Sequence, residues 1–261
     1  MITKASDAKR IVVKVGTSTL AHKTGLLNIQ RMEKIAKVLS DLKNSGKEIV
    51  LVSSGAIGVG MGKIGIKERP AQVPVRQACA AIGQCELMYC YDKYFSEYNH
   101  TVAQVLMTRD IIDHKEREQH VINTLVNLLD FGVIPIVNEN DTVSTEEIEF
   151  GDNDTLSAIV GSLVHTDLLI ILSDIDGVYT KNPRVYKDAE LISRIAKIDD
   201  DVKNLAGGEG SYLGTGGMIT KLTAAQIGID AGFPTVIMNG SNPEKLYDLF
   251  EDKEIGTFIG E

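Results

Sequence analysis

The segment Arg10-Ile-Val-Val-Lys-Val15, the helical spacing of apolar residues from Ile29 to Leu42 and the segment Glu48-Ile-Val-Leu-Val52 read in turn as strand, helix and strand. Apolar residues stand on successive positions in both strands, so both faces are covered, as in a mainly parallel sheet between two helical layers. Working outward, residues 101–107, 133–137, 167–172 and 234–238 repeat the strand signature. Helical spacing fills about 72–97, 116–130, 153–165 and 217–231, the last stopping at Gly232 ahead of Pro234. This predicts an α/β fold with seven or eight strands. Residues 140–152 alternate Thr, Val and Ile with acids and read as an exposed hairpin or flap. With no repeat or Pro/Ser-rich linker, the chain reads as one domain, 1–261, whose lobes meet near residue 166.

The composition agrees. The 261 residues are 43% apolar and 24% charged, which excludes disordered, collagenous and coiled-coil classes. A net charge of −9 argues against a nucleic-acid surface but leaves room for a small anionic ligand, which needs only a few local cations. Cys79, Cys85 and Cys90 lie on a predicted helix without zinc-ligand spacing and read as reduced thiols. The aromatic- and Met-rich stretch around them reads as core or subunit interface. The polar N-terminus and the shortness of apolar runs such as 168–172, against the ~18 residues of a membrane span, predict a cytoplasmic protein without membrane contact.

In open α/β sheets ligands gather beyond the carboxyl ends of the strands. The first strand ends in Lys14-Val-Gly16-Thr17-Ser18, and the second in Ser53-Ser54-Gly55-Ala56-Ile57-Gly58, a run of small residues at a helix start that suits an anion. The strand from Val133 leads to Asn138-Glu-Asn-Asp141 and, past the flap, to Gly151-Asp152-Asn153-Asp154. The strand from Asp167 gives Ser173-Asp174-Ile-Asp176-Gly177-Val-Tyr179. Lastly, Gly214-Thr215-Gly216-Gly217-Met218-Ile219-Thr220-Lys221 places glycines and a lysine at a helix N-terminus, which reads as a phosphate site.

Taken singly, each residue has a plainer reading. Lys14 could be a strand-edge lysine, Lys221 a solvated helix residue, Asn153 a cap, and Asp141, Asp152 and Asp154 a flap surface or a metal site. No P-loop motif occurs. Gly60-Met-Gly62-Lys-Ile-Gly65 matches the dinucleotide pattern formally, but it starts well beyond its strand and soon meets Pro70, so it reads as a helix-terminal loop. Two lysines, an amide, carboxylates and glycine turns at one sheet edge together fit phosphoryl transfer to a small acceptor.

These motifs together resemble the glutamate 5-kinase family of the amino-acid kinase superfamily, over about residues 9–240. The resemblance implies a three-layer αβα sandwich on a mainly parallel sheet of about eight strands. The amino acid would bind in an N-terminal lobe of about 1–165, and ATP in a C-terminal lobe of about 166–261. Ser54, Asp141 and Asn153 would contact L-glutamate. Lys14, Ser173, Asp174 and the run Thr215, Gly216, Gly217, Met218, Ile219, Thr220 and Lys221 would contact ATP. Lys14, Asp154 and Lys221 would form the catalytic set, and Mg2+ would be held mainly by the phosphates, with no dedicated protein cage. The resemblance also implies proline as feedback inhibitor, a homodimer or homotetramer, and a place in proline biosynthesis. Many members continue into a C-terminal PUA domain, for which the end at Glu261 leaves no room; Ser173 stands where threonine is common. Other acceptors within the superfamily, acetylglutamate or UMP, and a non-catalytic glutamate or proline sensor are the competing expectations.

Overall fold

A computed structural model describes residues 1–22, 24–108, 111–143, 153–207 and 217–260. Eight strands form one sheet: β1 (Arg10–Val15), β2 (Glu48–Ser53), β3 (Val102–Met107), β4 (Ile134–Glu139), β5 (Leu168–Ser173), β6 (Arg194–Ile195), β7 (Thr235–Asn239) and β8 (Thr257–Ile259). Their order is β3-β4-β2-β1-β5-β7-β8-β6. All neighbours run parallel except β7 and β8. The helices are α1 (Thr17–Leu20), α2 (Ile29–Asn44), α3 (Ala56–Lys63), α4 (Val73–Ser96), α5 (Lys115–Asp130), α6 (Asn153–Leu163), α7 (Asp200–Gly207), α8 (Gly217–Ala231) and α9 (Lys245–Phe250).

Alternation along β1 separates two cores. Ile11, Val13 and Val15 join one with Met32 and Ile35 of α2, Ala56 of α3, Leu87 and Tyr91 of α4 and Leu246 of α9. Val12 joins the other with Leu125 of α5, Ala158 and Val160 of α6 and Leu222 and Ala225 of α8. The architecture is therefore the three-layer αβα sandwich expected. The same alternation puts Lys14 on the Val12 face, over α6 and α8. β1 lies between β2 and β5, so the connections diverge from it in opposite directions, and its carboxyl end opens a crevice.

Two expectations change. Residues 60–65 are not a loop throughout: Gly60 and Gly62 lie within α3, which runs to Lys63. A Cβ on Gly60 would drive into the Cys79 carbonyl, and one on Gly83 into the Ala56 carbonyl, so paired glycines let α3 and α4 cross backbone to backbone. The short β6 and β8 and the helices α1, α7 and α9 come in addition to the predicted elements. Of the predicted flap, Asn140–Val143 form a turn; residues 144–152 lie outside the described residues. The three cysteines are free thiols, buried at Cys79 and exposed at Cys85. Among the described residues no helix is long and apolar enough to cross a membrane.

Candidate active site

Asp154, in the first turn of α6, is wholly buried. Its Oδ1 lies 2.6 Å from the ammonium of Lys14, and its Oδ2 lies 2.8 Å from that of Lys221. Both lysines are nearly buried, at 4% and 8% exposure. Lys14 comes from β1 and Lys221 from the second turn of α8, 67 residues beyond the carboxylate. The Lys221 ammonium also donates to the Gly217 carbonyl at 2.9 Å, and the Thr220 hydroxyl lies 3.1 Å from both Asp154 Oδ2 and that carbonyl. A carboxylate in short ion pairs with two ammonium groups, one of them also a charge-assisted hydrogen bond, holds them in fixed positions. One negative charge against two positive ones leaves a net cation.

Lys14 borders a cleft of about 350 Å³ lined also by Thr17, Ser54, Gly55, Arg69, Asn138, Glu139, Asp141 and Asn153. Gly55 takes φ +99°, a left-handed turn that reverses the chain between β2 and α3 and favours glycine. Behind the lining runs a buried amide network. Asn153 Nδ2 donates to the Ser53 carbonyl and to Asn138 Oδ1, both at 2.8 Å. Asn138 Nδ2 donates to Gln84 Oε1 at 2.8 Å, and the Glu139 backbone N–H donates to Asn138 Oδ1 at 2.9 Å. Ser53 Oγ shares a hydrogen bond with the Tyr91 hydroxyl, which burial pushes above its ordinary pKa despite that bond. At Asp141 burial raises the carboxyl pKa, and the positive charge of Arg69 opposes the rise.

On the other side of β1, Ser173 ends β5 and its hydroxyl donates to Asp174 at 3.3 Å. Burial would raise the Asp174 carboxyl, but the Arg184 guanidinium, donating at 2.7 Å, and the local hydrogen bonds hold it below its usual value. The structure thus gathers Lys14, Asp154, Thr220 and Lys221 in one cluster, and Ser54, Asp141 and Asn153 in one cleft that Lys14 joins. Met218 does not direct its side chain there; it is buried in the core with Leu222. Ile219 is half exposed. Thr215, Gly216 and Asp152 lie outside the described residues. Asn138 stands in a motif the sequence singled out, without a role assigned to it, whereas Arg69 and Gln84 were not singled out: one is a charge in a polar loop, the other an amide within a helix pattern.

The model of the amino acid kinase family matches residues 9–239. The chain belongs to the amino acid kinase family. Within it, the chain is 52% identical over 257 residues to the glutamate 5-kinase of Clostridium perfringens, covering 97% of this chain and 96% of that one. Identity is again 52% to the glutamate 5-kinase of Listeria monocytogenes, with 97% and 93% covered. Among solved structures, a product complex of isopentenyl phosphate kinase from T. acidophilum aligns at TM-score 0.67 and 18% identity, over 96% of this chain and 99% of that one. The UMP kinase of Bacillus anthracis aligns at 0.65 and 18%, over 97% and 96%. These two share the amino acid kinase fold; their low identity carries no further information on activity.

Proposed function

We propose that this chain transfers the γ-phosphoryl group of ATP to the γ-carboxylate of L-glutamate, giving L-glutamyl 5-phosphate and ADP, the first step of proline biosynthesis. The similarity to glutamate 5-kinases over nearly the whole chain supports the acceptor. The observation that carries the chemistry is Asp154 holding Lys221 on one oxygen and, on the other, Lys14, which borders the cleft. A carboxylate oxygen attacks the γ-phosphorus while the bond to the β–γ bridging oxygen breaks, and ADP leaves with that electron pair. The acceptor is ionised at neutral pH, so no general base is needed. The task is to bring two anions into line and neutralise the charge spreading over the moving group. Lys14 and Lys221 flank that group, and Asp154 positions them.

The cleft lining carries both cations for the carboxylates of glutamate and an anion for its ammonium. Asp141 receives the ammonium, Arg69 the α-carboxylate, and Lys14 stands at the γ-carboxylate end; Ser54 and Asn153 add neutral hydrogen bonds. Ser173, Asp174 and the segment 215–221 hold ATP, with the N-terminal lobe taking the amino acid and the C-terminal lobe the nucleotide. No group of three or more His, Cys, Asp or Glu suited to a metal stands together among the described residues. Mg2+, held mainly by phosphate oxygens and water, would neutralise triphosphate charge. Proline, carrying a carboxylate and an ammonium of its own, fits the same cleft as an inhibitor, and the enzyme works in the cytoplasm as a homodimer or homotetramer.

Purified protein is to be assayed for ADP release with MgATP and L-glutamate, and hydroxylamine added to trap the acyl phosphate as a hydroxamate. Glutamate-dependent ADP release with hydroxamate is expected. Turnover only with N-acetylglutamate or UMP, or none with any acceptor, refutes the assignment.

A further inference from the structure

We infer that Gln84 is a positioning residue which, through Asn138, locks the Asn153 amide so that its oxygen faces the cleft and accepts from the substrate ammonium. This rests on the glutamate reading above and deepens it.

The orientation follows from groups whose identity is unambiguous. A backbone N–H can only donate, so the atom of Asn138 that meets the Glu139 N–H at 2.9 Å is the oxygen. The other end of Asn138 is then the NH2 group, and it donates to Gln84 Oε1 at 2.8 Å. Asn153 turns one end toward two acceptors, the Ser53 carbonyl and that Asn138 oxygen, each at 2.8 Å. That end must be the NH2 group, and both its hydrogens are committed. Oδ1 is therefore the polar atom Asn153 can offer the cleft it lines beside Asp141. An ammonium has only hydrogens to give, and it finds two acceptors, one charged and one neutral.

Gln84, Asn138 and Asn153 are all buried, where a half-satisfied amide is costly and a satisfied network specifies one arrangement. Gln84 reaches Asn138 from α4, the long helix whose Gly83 allows the close crossing with α3. Without the Gln84 acceptor the Asn138 NH2 is buried and unpaired, so Asn138 is held by the Glu139 N–H alone; when it turns to satisfy its NH2, Asn153 loses one of the two acceptors that fix its own amide. A rotated Asn153 would turn hydrogens toward the ammonium.

Glutarate tests this, because it keeps both carboxylates of glutamate and lacks the ammonium. The ratio of the glutarate Ki, as a competitive inhibitor, to the glutamate KM measures how strongly the site reads the ammonium. In Gln84→Leu this ratio should fall about tenfold, the size of one hydrogen bond to a charged group, with the ATP KM unmoved. Gln84→Glu keeps an acceptor oxygen and should retain the wild-type ratio. Gln84→Met, closer in length, is read the same way if the leucine variant does not fold. Equal weakening of glutamate and glutarate, leaving the ratio unchanged, overturns the inference while the glutamate assignment stands. Wild-type protein that does not turn over glutamate overturns both.

Discussion

Replacing Asp154 by asparagine tests the charge arrangement most directly. The carboxylate is fully buried and holds two nearly buried ammonium groups at 2.6 and 2.8 Å. At an effective dielectric of about 20, each contact represents roughly 6 kcal/mol of attraction before desolvation is set against it. Breaking buried pairs costs about 3–5 kcal/mol, because a charge is left without compensation. Asparagine retains one acceptor oxygen, which places the expected loss near the lower end, about 3 kcal/mol. For a chain of this size that lowers Tm by roughly 6–12 °C. Added ATP should narrow the gap, since its phosphates supply the missing negative charge and bind the folded state alone. Turnover should fall as well, because the lysines lose the group that fixes their spacing. Thermal unfolding with and without ATP, together with ADP release, reads all three. A variant melting within about 2 °C of wild type and turning over normally would refute the idea that Asp154 organises the two cations.

Lys221→Ala should lower kcat by roughly 10²-fold or more, the scale for deleting a preorganised stabiliser, and near-normal turnover would remove Lys221 from the chemistry. Asp141 has a raised carboxyl pKa, so the folded state binds its proton more tightly than the unfolded chain, and its ionisation opposes folding as pH rises through that range. Asp141→Asn protein without ligand should therefore be at least as stable as wild type at neutral pH, yet show a higher glutamate KM. In the wild type that KM should climb as acidification protonates Asp141; a destabilised variant or a pH-independent KM contradicts this. Gly83→Ala forces a Cβ into the Ala56 carbonyl and should cost about 2 kcal/mol or more, read as a fall in Tm of several degrees. An unchanged Tm would mean that α3 and α4 are not in close register.

The sheet was legible because its central strands are apolar on successive positions, and the predicted boundaries of β1, β2 and β5 lie within a residue of those observed. β8 was not: Thr257-Phe-Ile259 is three residues long, and its antiparallel pairing with β7 comes from tertiary position, not from a pattern. Residues 60–65 read as a helix-terminal loop because they start well beyond their strand and soon meet Pro70, and glycine in a helix interior costs about 1 kcal/mol. The compensation lies in close backbone packing, of Gly60 on α4 beside Gly83 and of Gly62 on Gly25, and a local reading of α3 cannot see those partners. Lys14, Asp154 and Lys221 could be nominated from their turns and from family resemblance, but no spacing rule says that one carboxylate holds both lysines. Arg69 and Gln84 carry no local signal. An arginine between Glu68 and Pro70 looks like any solvated charge, and Gln84 becomes informative only when Asn138 is seen across from it.

The buried trio is drawn from β1, α6 and α8, so its members arrive in order during synthesis and far apart in time. A nascent chain whose α8 has yet to emerge from the ribosome carries Lys14 and Asp154 but lacks the second cation. Until that helix docks, Asp154 holds one of its two lysines only. On the mechanism proposed for the trio, phosphoryl transfer would await synthesis of most of the polypeptide.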